Sequence, residues 1–229
     1  MQLLPNSSAC IPKKSAFLPN SSGAKPLQDE NTLSTYHIGH ESTVHAVPSI
    51  VGGGPGIPIV YYLSADFLHP RFDYDFTDLK DNADGNHRRG GYTYRRPCGW
   101  HRYGIRVNGK YGDDRWLGSN PDSDEVWPVS YHGTTKEAAA SITNTGYDVS
   151  KGNRFRFGKG IYSTPLVTEA SNYATLFVYN GVKYKMVLQN RVNSKGMTVN
   201  RLPERPEIEY WVSLSDRDTR PYGVLIRRA

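Results

Sequence analysis

The sequence predicts an α+β fold whose strands pair antiparallel towards the C-terminal end. Two observations predict it. From Val129 onward the hydrophobic pattern runs strand, helix, strand, helix. Beyond the turn dipeptide Asn180-Gly181 the patterned segments are strand-like only.

Taken in order, residues 1–57 are rich in Ser, Asn, Pro and Gly and end in Gly52-Gly53-Gly54-Pro55-Gly56. Such a segment buries too little apolar surface to offset its ordering entropy, so a flexible tail is expected. Residues 58–128 form a second, basic and aromatic-rich region. Ile59 to Leu63 is a short β-prone run, and Phe72 to Phe76 alternates aromatics with carboxylates. Asp81 to Gly91 reads as a loop. Further on, Tyr103, Ile105 and Val107 alternate with Arg102 and Arg106, as in a half-exposed strand. Tyr111 to Gly118 is a strand or a turn.

Residues 129–229 carry the sharpest signals. Val129 to His132 reads as a strand entering a turn at Gly133. Thr134 and Glu137 form a capping-box pattern for a helix that shows Ala138, Ile142 and Thr145 on one face and stops at Gly146. Gly158 to Thr164 is a glycine-lined strand. Thr164 and Pro165 read as the cap and first residue of a second helix, in which Leu166, Ala170, Tyr173, Ala174 and Phe177 recur at helical spacing. Lys183 to Val192 alternates Tyr184, Met186 and Leu188 against Lys183, Lys185 and Gln189. Glu209 to Val212 and Tyr222 to Ile226 are two more strands.

The bulk numbers bound the partners. A chain of 229 residues has room for one sizeable core and a small annex. Its 16 Tyr suit sites that stack rings, and its net charge of +6 favours anionic partners. Cys10 and Cys98 form no CxxC pair, so two free thiols and no metal site are expected. Pro5, Asn6 and Ser7 interrupt any leader-like run, and no stretch of about 18 apolar residues exists. An intracellular protein, cytoplasmic or nuclear and without membrane contact, is the expectation.

Three clusters hold chemistry. His132 at a strand end beside Gly133 can point into a cleft while the bare backbone takes a ligand's hydrogen bonds; the plain alternative is a satisfied core histidine. Gly158-Lys159-Gly160-Ile161-Tyr162 permits close ligand approach beside a stacking ring, or is an ordinary strand with glycine bulges. Glu209 leads a β-prone run, where a solvated strand-edge carboxylate is the commoner case.

Together, His132-Gly133-Thr134, the helix ending at Gly146-Tyr147, Phe157 to Tyr162, Tyr173 and Glu209-Tyr210 resemble the poly(ADP-ribose) polymerase type of ADP-ribosyltransferase, which carries a His, a Tyr and a Glu on three separate strands. The resemblance covers Val129 to Ile226. It implies an ADP-ribosyltransferase-like fold of two splayed, mostly antiparallel sheets with flanking helices, and NAD as co-substrate. It implies that His132 bonds the adenosine ribose, that Gly133 holds the nicotinamide carboxamide, and that Tyr162 and Tyr173 sandwich the nicotinamide ring. Thr134 and Gly160 join that binding surface. Glu209, with His132 and Tyr162, makes the catalytic set. Lys159 is expected at the cleft edge rather than in catalysis.

Two departures qualify what the resemblance implies. The family's carboxamide-binding Ser falls at Ala170; either Ser171 beside it substitutes or the carboxamide has one fewer anchor. No regulatory helical domain is present, which favours transfer of a single ADP-ribose to a macromolecular acceptor, protein or DNA or RNA. Nucleic acid is suggested by Arg88, Arg89, Arg95, Arg96, Arg102 and Arg106, interleaved with Tyr92, Tyr94, Trp100 and Tyr103. The plain alternative is an Arg-rich surface whose stems lie over rings. Other functions compatible with the sequence are a non-catalytic NAD or ADP-ribose-binding module, an NAD glycohydrolase and a nucleic-acid-binding protein.

Overall fold

A computed structural model describes residues 15–17, 45–47, 67–81, 87–152, 155–179 and 181–229. The chain divides into two compact units, 1–65 and 66–229. In the first, β1 (Ser15–Phe17) pairs antiparallel with β2 (His45–Val47). The Ile59 run, Cys10 and the middle of the Asp81 loop lie outside the described residues.

The second unit is mixed α+β with few helices. Its strands are β3 (Tyr74–Asp75), β4 (Arg88–Arg89), β5 (Tyr92–Thr93), β6 (His101–Gly104) and β7 (Val129–Gly133). After α1 (Lys136–Thr145) come β8 (Ile161–Ser163) and α2 (Val167–Asn172). Then follow β9 (Leu176–Tyr179), β10 (Val182–Val192), β11 (Met197–Leu202), β12 (Arg205–Ser213) and β13 (Thr219–Arg228).

A six-stranded sheet runs β3-β6-β13-β10-β7, with β9 pairing the other end of β10. A three-stranded sheet runs β11-β12-β8, and β4 and β5 form a hairpin. Every pair among the described strands is antiparallel. The two larger sheets touch through one bridge, Tyr131 to Thr164, and diverge beyond it. The basic aromatic segment belongs to the same body, because β6 lies against β13 with Tyr103 opposite Val224.

The core sits on the six-stranded sheet, where Val187, Leu188, Val224 and Leu225 are wholly buried. Trp100, Tyr131, Val167 and Ala170 close over Val187 and Leu225. Arg191 is 5% exposed yet pairs with no carboxylate among the described residues; its guanidinium donates to the carbonyls of Trp127, Leu117 and Gly118 and fastens that loop to β10.

Several local expectations need correction. The cap of α1 is Thr135, whose Oγ1 accepts the Ala138 N–H at 3.2 Å. Thr134 is still engaged outside the helix, its carbonyl accepting the Thr175 N–H. Ala139 and Thr143 are the buried residues of α1, and Thr145 is exposed. The second helix is one turn and a half long, and Pro165 precedes it. Thr164 Oγ1 accepts the Leu166 N–H just before the helix starts. Phe177 is not helical: β10 reaches back to Val182 and offers an edge that takes Leu176 to Tyr179 as a strand, with Phe177 opposite Tyr184. Gln189 shares the pleat face of Lys183, but that face is not outward along the whole strand. Gln189 is wholly buried and donates to the Tyr94 hydroxyl, because the Tyr94 segment covers that face. Arg115 to Leu117 is a 3-10 turn.

Candidate active site

A cleft of about 790 Å³ opens where the two sheets part. Its volume falls in the range of small-molecule sites. One wall is the end of β7 with α1; the other is β8 with Leu202 of β11 and Tyr210 of β12.

His132 stands at the junction. Its Nδ1 is 2.7 Å from the Tyr162 carbonyl, which can only accept, so Nδ1 carries the proton and Nε2 is left as an acceptor. Burial pushes its pKa below the ordinary value, and the bond to Tyr162 offsets this only in part. The ring meets Tyr147 edge-on at 5.3 Å, and Tyr147 is held by its hydroxyl bond to Asn190. A neutral imidazole with a free Nε2 suits a hydroxyl donor such as a ribose.

Gly133 owes its lack of a side chain to packing rather than to a ligand. A Cβ there would lie 1.8 Å from the Ala170 carbonyl oxygen of α2. Its backbone is a different matter. Residues two apart on an antiparallel strand turn N–H and C=O to the same side. Tyr131 turns both to Thr164, at 2.7 and 3.0 Å. Gly133 therefore turns its own donor and acceptor the same way, past the point where β8 has diverged.

Tyr162 is locked in place. Its hydroxyl accepts the Phe157 N–H at 2.6 Å and donates to the Gly158 carbonyl at 2.8 Å, and Phe157 stacks on its ring. Gly158 has φ +90°, a left-handed conformation that a side chain would strain. At Gly160 a Cβ would meet Val212 at 2.6 Å, so this glycine admits β12. Tyr173 ends α2 on the cleft wall with 55% of its surface exposed, although it is a large ring.

The structure thus brings His132, Gly133, Thr134, Gly160, Tyr162 and Tyr173 to one cleft. It does not bring Ser171 there. Ser171 is buried on the inner side of α2 with its hydroxyl donating to the Thr168 carbonyl, and Ala170 takes the wall position. The Ser171 hydroxyl is thus spent within α2 and is not offered to the cleft.

Glu209 is not on the cleft wall either. The pleat of β12 alternates faces. Tyr210 and Val212 face as Tyr162 does, since Val212 is its cross-strand partner, and Glu209 faces with Trp211. Its carboxylate is ion-paired with Arg201 of β11 and accepts the Trp211 indole N–H at 3.0 Å. Lys159 is exposed and off the wall.

One group was not anticipated. Tyr210 lines the cleft and donates from its hydroxyl to Glu169 at 2.6 Å, and Arg205 clasps the same carboxylate. The helical spacing of α2 did place residue 169 next to Ala170, but nothing in the sequence pairs it with β12.

The basic segment is largely bound to itself. Arg102 donates to the Phe72 carbonyl and lies by the rings of Tyr74, Phe76 and Tyr222. Arg96 is held by Asp81 at 2.6 Å, Arg89 lies over Tyr94, and Arg88 is 3.5 Å from Asp122. Arg95 and Arg106 are exposed. Two of these six arginines, Arg89 and Arg102, lie over rings, and two, Arg88 and Arg96, pair with carboxylates.

Among the described residues no group of three or more His, Cys, Asp or Glu could hold a metal ion, and no helix is long and apolar enough to cross a membrane. No protein-family model matches the chain, and no curated protein matches it significantly.

Proposed function

We propose that the cleft binds NAD and that the protein transfers a single ADP-ribose from it to a macromolecular acceptor, releasing nicotinamide. The observation that carries this reading is the convergence on one cleft of the His132 acceptor, the Gly133 peptide edge and the rings of Tyr162 and Tyr173. A carboxamide needs one donor and one acceptor side by side, and Gly133 offers both. Rings on the cleft wall can stack on a flat leaving group and align it. His132 Nε2 accepts a ribose hydroxyl.

In the reaction the bond from ribose C1′ to the nicotinamide nitrogen breaks, and its electron pair neutralises the pyridinium. The acceptor nucleophile bonds to C1′ and loses a proton. Positive charge grows on the ribose on the way, as in glycoside hydrolysis. A carboxylate stabilises that charge more in the transition state than before it. Glu209 is the residue we assign to this role; because its carboxylate faces with Trp211 and is held by Arg201, the role requires the ion pair to break and that part of β12 to turn towards the cleft. With water as acceptor the same groups give NAD hydrolysis.

The pairing of Glu209 with Arg201 favours a second reading, a module that binds NAD or ADP-ribose without turnover. One experiment separates the two. Adenylate-labelled NAD is incubated with the protein and mixed protein, RNA and DNA acceptors, with Glu209→Gln alongside. Label on a macromolecule that is lost in the variant supports transfer and identifies the acceptor class. Free ADP-ribose alone indicates hydrolysis. Binding by both proteins without turnover supports the second reading.

A further inference from the structure

β9 is an edge strand: it pairs with β10, and among the described residues no strand pairs with its other side. Its sequence, Leu176-Phe177-Val178-Tyr179, is wholly apolar and mostly β-prone. It holds neither a charge nor a Pro, the devices that keep sheet edges from pairing. Leu176 is 53% exposed and Val178 64%. Such an edge is a template for one more strand.

The direction of its peptide groups follows from β10. Lys183 turns to β13, its carbonyl accepting the Ala229 N–H at 3.0 Å. Backbone sides alternate along an antiparallel strand, so Val182 and Tyr184 turn to β9 and bond Tyr179 and Phe177. Leu176 and Val178 therefore turn their N–H and C=O groups outward. β7 and β9 lie along the same side of β10, with Gly133 opposite Val187 and Leu176 opposite Lys185. The Thr175 N–H donates to the Thr134 carbonyl at 3.3 Å and joins the two strands into one line. The outward peptide groups of Gly133, Leu176 and Val178 form one row along it. Gly133 and Leu176 are ~7 Å apart on that row by strand rise, and Thr175 beside them lines the cleft. The charge near this edge has one sign. β9, β10 and β13 contain no Asp or Glu. Lys185 and Lys183 share the face of Leu176 and Val178 as their cross-strand partners, and Arg227 lies opposite Lys185.

We propose that the outer edge of β9 docks an extended segment of the acceptor protein, one that alternates apolar with acidic residues, by strand addition, and leads it end-on into the cleft. Main-chain bonds to Leu176 and Val178 hold the segment, and its apolar side chains cover theirs. Its carboxylates answer the ridge of Lys183, Lys185 and Arg227. Past Leu176 the segment meets the peptide groups of Gly133, which the carboxamide occupies, so its end stops beside the bound dinucleotide. The proposal rests on the transfer reading only for calling the segment an acceptor.

The test follows amide hydrogen exchange in the full chain with a short synthetic peptide that alternates Val and Glu, and with its Val and Lys counterpart. The Val–Glu peptide is expected to slow exchange at Leu176 and Val178 and to leave Phe177 and Tyr179, already bonded to β10, unchanged. The Val–Lys peptide is expected to bind more weakly. Val178→Pro removes an outward N–H while sparing the ladder to β10, a position where an edge strand tolerates Pro. Val178→Glu sets a like charge against the peptide and serves where Val178→Pro fails to fold. Each folded variant is expected to lower peptide affinity about tenfold, the scale of one hydrogen bond left unmade. No slowing at Leu176 and Val178, or equal affinity in the variants, overturns the docking edge. Slowing that grows with protein concentration alone assigns the edge to a second copy, and tighter protection by a single-stranded oligonucleotide assigns it to nucleic acid; either overturns the proposal. If the peptide protects the edge while labelled NAD is never cleaved, the docking edge stands and the transfer reading falls.

Discussion

The six-stranded and three-stranded sheets differ in how much they bury, and the cleft uses the difference. In the larger sheet β10 and β13 are interior strands, with Leu188 and Leu225 wholly buried. It contributes backbone at a free edge: the imidazole position of His132 and the peptide groups of Gly133. The smaller sheet buries Ile161, Trp211 and Val212, and carries a separate cluster of Leu202, Ile208 and Tyr210 with Phe157 and Leu166 packed against it. It contributes rings. Backbone donors and acceptors on one side and aromatic rings on the other suit the flat ligand proposed above.

Substitutions can break this comparison. Leu225→Ala in the larger sheet is expected to cost about 3 kcal/mol, and Leu202→Ala in the smaller sheet clearly less, by chemical denaturation. Equal losses would show that the two sheets are not a scaffold and an appendage. Glu209→Gln is expected to lower the rate of nicotinamide release by at least ~100-fold, about 2.7 kcal/mol, while leaving stability nearly unchanged. A variant as fast as wild type would remove Glu209 from the chemistry. Gly133→Ala must displace α2, because its Cβ would meet the Ala170 carbonyl at 1.8 Å. A loss of about 1–3 kcal/mol is expected, with weaker nicotinamide binding.

Two smaller effects sharpen the same picture. His132 has a folded pKa below the ordinary histidine value of about 6.5. The unfolded chain therefore takes up a proton first, so His132 contributes stability that is complete above about pH 6.5 and is lost as pH falls through the folded value. His132→Asn should flatten that part of the stability profile, and an identical profile would contradict a neutral imidazole at the sheet junction. Arg201→Ala removes a half-exposed partner, its side chain 52% exposed. Solvent screening limits its effect on stability to about 0–1 kcal/mol. The variant is expected to raise turnover, since it frees Glu209; reduced turnover would mean that Arg201 helps to hold the substrate.

Much of the site was legible because it follows local rules. The His132 strand, the glycine-lined strand before Tyr162 and the helix that delivers Tyr173 are written in short-range pattern and turn chemistry. What was not legible came from partners distant in the chain. Thr134 looked like a helix cap until Thr175 took its carbonyl. Phe177 kept a helical spacing until the edge of β10 took it as a strand. Ser171 looked like a substitute because adjacency in sequence hides which side of a helix faces the core. Glu209 carries the family-like motif, but the pleat and Arg201 decide where its carboxylate sits, and neither can be read from the Glu209-Tyr210 dipeptide. Glu169 escaped notice because a carboxylate on a helix is unremarkable until Tyr210 and Arg205 arrive from β12.

The most direct test is the structure of the protein with nicotinamide bound. The account predicts the ring between Tyr162 and Tyr173, with its carboxamide on the N–H and C=O of Gly133 and the His132 Nε2 open towards the ribose side. A ring bound elsewhere, or a carboxamide that ignores Gly133, would contradict it.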